Sequence, residues 1–126
     1  MDSKYVTNLD FVSFQVKHLE KSKKFYTEVL GFELAQSPNE KVAVVFKTGS
    51  GSVFAIRTPH LNLDSVEKLG WGISPWFGVD DIDTYYKNVS SKTNIIQELK
   101  ETPFGKTFVV ADPNGYLITI QQKESK

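Results

Sequence analysis

The sequence predicts an α+β domain assembled from two copies of one strand-helix-strand-strand-strand unit. Three observations predict it. Val16-Lys17-His18-Leu19-Glu20 leads from an alternating apolar run into a helical stretch, and Val79-Asp80-Asp81-Ile82-Asp83 does the same in the second half. Each copy precedes paired aromatics, Phe25-Tyr26 and Tyr85-Tyr86. Each helical stretch is then followed by three short apolar runs separated by turn residues, the pattern of strands rather than of further helices.

In chain order, Phe11 to Val16 alternates as a strand does, with Val12, Phe14 and Val16 on one face and Phe11, Ser13 and Gln15 on the other. From Leu19 to Leu30, the side chains of Leu19, Phe25, Tyr26, Val29 and Leu30 form one helical stripe, while Lys21, Lys23, Lys24 and Glu28 face water. Gly31 follows as a helix stop, because it accepts the positive φ of that position. Phe32 to Ala35, Val42 to Phe46 and Val53 to Arg57 read as strands, separated by Ser37-Pro38-Asn39 and Gly49-Ser50-Gly51. A connector over 59–73 carries Pro59, Asn62, Gly70 and Gly72, with one helical turn over 64–69. The second unit opens with a strand from about Ile73 through Val79. Asp81 is placed to cap a helix from Ile82 to Val89 whose inner stripe is Ile82, Tyr85, Tyr86 and Val89. Strands over Ile95 to Leu99, Thr107 to Ala111 and Leu117 to Gln121 follow, the last two joined by the tight-turn sequence Asp112-Pro113-Asn114-Gly115. A single domain over residues 1–126 is expected, with module one at about 9–58 and module two at about 74–122.

Composition narrows the function. A chain of 126 residues can bury a core without metal or disulfide staples. Fifteen basic and fifteen acidic residues leave no net charge, so no broad field draws nucleic acid or a membrane surface. A neutral small molecule is the expected partner. Cysteine is absent, which removes thiol nucleophiles, thiolate metal sites and disulfides together. Residues 1–10 are polar and lack a signal-peptide core, and no run reaches transmembrane length, so a cytoplasmic protein is expected. Gly49-Ser50-Gly51 lacks the Lys and following helix of a phosphate loop, and two isolated histidines support no Ser-His-acid arrangement.

Two stretches resemble a known family. Residues 11–32, Phe-Val-Ser-Phe-Gln-Val-Lys-His-Leu-Glu-Lys-Ser-Lys-Lys-Phe-Tyr-Thr-Glu-Val-Leu-Gly-Phe, are similar to the opening unit of the vicinal-oxygen-chelate superfamily, which includes glyoxalases, extradiol dioxygenases and bleomycin-resistance proteins. Residues 108–119, Phe-Val-Val-Ala-Asp-Pro-Asn-Gly-Tyr-Leu-Ile-Thr, are similar to its closing hairpin. The resemblance implies two βαβββ modules in a U-shaped, barrel-like mixed sheet with helices outside, and a homodimer whose clefts are shaped partly by the partner. It also implies positions for a divalent metal. Carried over, these fall on Phe11, Phe54, Ser74 and Thr119, none of which supplies the imidazole or carboxylate such a site needs. The neighbouring stretches 52–58 and 115–122 contain no Asp, Glu or His, so a slip of one residue restores nothing. His18 and His60 lack convergent partners and are expected in turn or surface roles.

With no metal or other cofactor expected, the residues on the metal-slot face become the expected ligand-binding set: Phe11, Ser13 and Gln15 on the first strand, Phe54 on the fourth, Ser74 and Trp76 entering the second module, and Thr119 and Gln121 at its end, with Phe108 a secondary candidate outside that face. Trp76 leads it, since an indole offers a stacking face and an N–H donor, with Gly78 leaving room beside it. Trp71 is expected at the cleft rim. The favoured reading is a metal-free small-molecule binding protein like the bleomycin-resistance branch, sequestering a planar or aromatic compound such as an antibiotic, with no catalytic residue assigned. Two alternatives stay open: a glyoxalase- or dioxygenase-like enzyme with atypical metal ligands, and a non-catalytic structural or regulatory homodimer.

Overall fold

The structure, a computed structural model, describes residues 9–70 and 72–123. The first module runs β1 (Ser13–Gln15), α1 (Leu19–Lys24), β2 (Glu33–Ala35), β3 (Ala43–Lys47) and β4 (Val53–Arg57). The second runs β5 (Trp76–Val79), α2 (Ile82–Ser90), β6 (Ile95–Thr102), β7 (Gly105–Ala111) and β8 (Leu117–Gln122). The connector forms one 3-10 turn, Leu63–Ser65, capped by the Asn62 side chain. It is shorter than the turn over 64–69 that the sequence suggests, because only Leu63 there is buried and could hold more helix in place. No helix is long and apolar enough to cross a membrane among the described residues.

α1 does not end at Lys24. It continues through a π-helical turn, Phe25–Val29, closed by Leu30 N–H donating to the Phe25 carbonyl at 3.1 Å. This turn keeps Phe25, Tyr26 and Leu30 buried, and Gly31 then leaves the helix at φ 80°. α2 is capped as the sequence predicts, with the Asp81 carboxylate accepting from Thr84 N–H and Thr84 Oγ1.

The α+β class and both βαβββ modules are present. Hydrogen bonding forms two four-stranded mixed sheets, ordered β1-β4-β3-β2 and β5-β8-β7-β6. β1 pairs in parallel with β4 and β5 with β8, so β1 and β5 each end a sheet with one free edge. A single core spans both modules. Phe14, Val16, Val44, Phe46, Phe54 and Ile56 come from the first sheet, Phe108, Val110, Ile118 and Ile120 from the second, and α1 and α2 fill in with Phe25, Tyr26, Leu30, Ile82 and Val89. Phe77 of β5 closes the seam, its ring 5.0 Å from Phe54 and 4.8 Å from Phe32.

A polar clamp also ties the modules. Asp112, nearly buried, accepts from Tyr26 Oη at 2.9 Å, from Asn114 N–H and Tyr116 N–H, and from Asn114 Nδ2. Asn114 takes the Lys17 N–H on its Oδ1 and donates from Nδ2 to the buried Ser22 hydroxyl. Tyr116 packs 5.3 Å from Phe14 and donates its hydroxyl to the Gln15 carbonyl at 2.6 Å. The turn sequence Asp112-Pro113-Asn114-Gly115 therefore does more than reverse the chain: it fastens module two to α1. On the opposite side Tyr85 Oη donates to the Leu30 carbonyl. Burial, joined by the Asp112 charge and hydrogen bond, raises the Tyr26 phenol far above its ordinary pKa, and burial raises Tyr85.

Candidate functional site

Side chains alternate across a strand, so the face of each sheet opposite the core is set by register. In the second sheet Trp76 lies beside Thr119 and Gly78 beside Gln121, with Val109 and Thr107 next across. Phe77 and Val79 pack into the core, as alternation from Trp76 requires. Trp76 is 47% exposed and Phe104, from the β6–β7 turn, 70% exposed; their rings meet edge to face at 6.1 Å. Gln121 Nε2 donates to the Phe104 carbonyl, fixing the turn above this face. Trp76, Thr119 and Gln121 thus come together, and Phe104 joins them. Sequence reasoning missed Phe104 because it lies in a turn, where no periodicity points to it. Ser74 is exposed, ahead of β5.

On the first sheet Ser13 pairs with Ala55 and Gln15 with Arg57. The Gln15 Oε1 accepts from His60 N–H of the connector at 2.7 Å and its backbone carbonyl from Tyr116 Oη, so both oxygens of Gln15 are engaged structurally. Phe11 is 55% exposed and precedes the strand, which begins only at Ser13. These residues and the Trp76 group belong to the open faces of two different sheets. Trp71 lies outside the described residues.

Two expected site residues point elsewhere. Phe54 is 5% exposed and sits on the helix side, in ring contact with Phe14, Tyr26, Phe32, Phe46 and Phe77. The expectation that it faces inward beside Ser13 is corrected: register places Ala55 there. Phe108 is fully buried, paired with Ile120 and packed on Tyr85 and Tyr86. Both fill the core, as close packing favours for Phe residues at central-strand positions.

The corrected register leaves the donor chemistry unchanged. Val53, Ala55 and Arg57, which share the Ser13 face, include no metal ligand. Among the described residues no three His, Cys, Asp or Glu side chains gather where they could hold a metal ion. The residues present therefore do not fit the divalent metal that the family resemblance implies.

A cleft of about 930 Å³ opens where the modules meet. Leu30, Phe32, Phe77, Ile120 and Tyr85 give it an apolar wall, and Thr48, Ser50 and Ser52 of the β3–β4 turn give it hydroxyls. Glu33 and Asp80 face Lys47 and Lys123 around it, two charges of each sign. It runs along β5 past Trp76 and Gly78.

No curated protein matches this sequence. Solved structures share the fold. A protein of unknown function from Agrobacterium tumefaciens str. C58 is 20% identical with a TM-score of 0.76, over 95% of this chain and 97% of that one. TnmS3, an antibiotic binding protein from Streptomyces sp. CB03234, is 22% identical with a TM-score of 0.74, over 97% of this chain and 100% of that one. A glyoxalase/bleomycin resistance protein from the same Streptomyces is 24% identical with a TM-score of 0.68, over 89% of this chain and 97% of that one. The sequence model of the Glyoxalase/Bleomycin resistance protein/Dioxygenase superfamily matches residues 8–120, and the chain belongs to that superfamily.

Proposed function

We propose that the chain is a cytoplasmic, metal-independent binding protein of the bleomycin-resistance kind, which sequesters a planar or aromatic small molecule such as an antibiotic without converting it. The observation that carries this reading is the exposed Trp76–Phe104 pair beside Thr119 and Gln121. An edge-to-face pair with one free indole face accepts a flat ring by stacking, and the neutral hydroxyl and amide beside it orient the ligand without requiring charge. The fold shared with an antibiotic binding protein supports it. Ser74 extends the binding set on this sheet, and Phe11, Ser13 and Gln15 extend it on the other.

The working unit in this proposal is a homodimer. Phe11, Trp76, Phe104 and Leu117 expose apolar surface that a second chain can cover. Light scattering after size exclusion tests this part alone: a mass of twice 14.2 kDa is expected, and a monomer at tens of micromolar overturns it.

A thermal-shift screen across planar aromatics and antibiotics tests the binding function. A ligand at a hundredfold excess over its dissociation constant adds about 2.7 kcal/mol to stability, a shift of several degrees. The expected result is such a shift for one chemical class, with the compound recovered chemically unchanged. Conversion of the compound, or no shift across the panel, overturns the reading.

A further inference from the structure

The cleft between the modules is the open counterpart of a junction that is sealed elsewhere in the same chain. Strand pairing aligns the repeats: β1 with β4 corresponds to β5 with β8, Phe14 beside Ile56 matching Phe77 beside Ile120, and Gln15 beside Arg57 matching Gly78 beside Gln121. The turns that follow β3 and β7 are equivalent too. Thr48 N–H donates to the Ser52 carbonyl and Gly51 N–H to the Thr48 carbonyl; Asp112 N–H donates to the Tyr116 carbonyl and Gly115 N–H to the Asp112 carbonyl. Gly51 and Gly115 share one conformation, φ 98° and 97°.

The side chains on these turns differ. At the β7–β8 turn Tyr116 lays its ring against Phe14 and donates its hydroxyl to the Gln15 carbonyl, filling the junction. At the β3–β4 turn Ser52 stands in the place of Tyr116, and Thr48 and Ser50 in the places of Asp112 and Asn114. Their hydroxyls bond to one another, Thr48 to Ser52 at 2.7 Å and to Ser50 at 3.2 Å, and no phenol reaches across. The space a Tyr would occupy is the cleft, lined by Phe77 and Gly78, the counterparts of Phe14 and Gln15. The Pro75 and Val79 carbonyls accept from the backbone N–H of Thr119 on β8 and of Lys123 just past its end. By the alternation of a parallel ladder the Gly78 carbonyl points to the free edge, as the Gln15 carbonyl does on β1.

We infer that this cleft is a second ligand site, adjoining the open sheet face at Trp76, and that it takes a neutral phenol-bearing planar molecule. The ring lies against Phe77 as Tyr116 lies against Phe14, and the hydroxyl donates to the Gly78 carbonyl. The balanced charges of Glu33, Asp80, Lys47 and Lys123 at the rim favour a ligand without net charge.

The test uses p-cresol, the side-chain analogue of tyrosine, and its O-methyl ether, titrated into the full chain and followed by amide NMR shifts. Saturable shifts at Ser50, Ser52, Phe77 and Tyr85 are expected with p-cresol, and about tenfold weaker binding for the ether, which cannot donate. Ser52→Tyr should fill the cleft from within and abolish those shifts. Shifts confined to Phe104, Val109 and Thr119 would overturn the cleft site while leaving the open-face reading standing. Equal affinity for the ether, no saturable shift, or undiminished binding to a folded Ser52→Tyr would overturn it as well. The ether comparison and the shift map on the unmodified chain decide the matter even where Ser52→Tyr fails to fold.

Discussion

Tyr26→Phe probes the clamp that joins the modules with the smallest possible change, one oxygen atom. Tyr26 is fully buried, and its hydroxyl donates to Asp112 Oδ2 at 2.9 Å. A hydrogen bond to a charged group contributes about 1.5–3 kcal/mol. Asp112 keeps three other donors in the variant, the amides of Asn114 and Tyr116 and the Asn114 side chain, so the cost belongs near the lower end, about 2 kcal/mol. For a domain of this length that lowers Tm by roughly 7 °C. Asp112→Ala is the harsher change, because it strands the buried Tyr26 hydroxyl along with the turn donors; about 3 kcal/mol or more is expected. The double variant should cost less than the two singles together by about 1–2 kcal/mol, since each single already breaks the shared bond. Urea unfolding of the four proteins measures the cycle. A Tyr26→Phe protein within about 0.5 kcal/mol of the parent, with no coupling to Asp112, would refute the view that this bond holds the modules together.

Alkaline pH should loosen the same region. Tyr26 and Tyr85 have phenols raised above the ordinary value near 10.0, chiefly by burial. Their stabilising contribution is complete below the unfolded-state value and is lost as pH rises beyond it; stability measured by urea should fall from about pH 10 upward, more steeply than for Tyr26→Phe/Tyr85→Phe. Acid acts on the cap of α2. The Thr84 hydroxyl, then its N–H, holds the exposed Asp81 carboxyl below its ordinary pKa, so its contribution is present above the unfolded-state value and lost as pH falls through the folded one. Carboxyl NMR titration should give a low midpoint for Asp81 that returns toward normal in Thr84→Ala. Chelation tests the donor chemistry: dialysis against EDTA should leave Tm and ligand-induced stabilisation unchanged, whereas a loss of either, restored by one divalent metal, would contradict metal independence.

How far the sequence was legible depended on periodicity. The duplicated Val16–Glu20 and Val79–Asp83 stretches mark both strand-to-helix junctions, and the Asp81 cap and the Phe77/Val79 face are found where alternation puts them. Phe54 was misread for a physical reason. Phe54, Ala55 and Ile56 are all buried, so period-two contrast vanishes in β4 and only the pairing of Ser13 with Ala55 reveals the face. Phe108 has the same ambiguity beside buried Thr107. Strand starts at Phe11 and Ile73 fall two to three residues ahead of the ladders because apolar residues near an exposed edge resemble strand without the pairing that defines it. The reach of Tyr116 to Gln15, and the cleft left by Ser52, are long-range consequences that local pattern does not encode.

The central claim is that Trp76 binds a flat ligand on an open sheet face. Titration calorimetry of a compound from the thermal-shift screen against the parent and Trp76→Ala tests it most directly. Trp76 is nearly half exposed, so the variant should keep its fold, and loss of the stacking face should weaken binding about tenfold. An unchanged dissociation constant in a folded Trp76→Ala protein would contradict the claim.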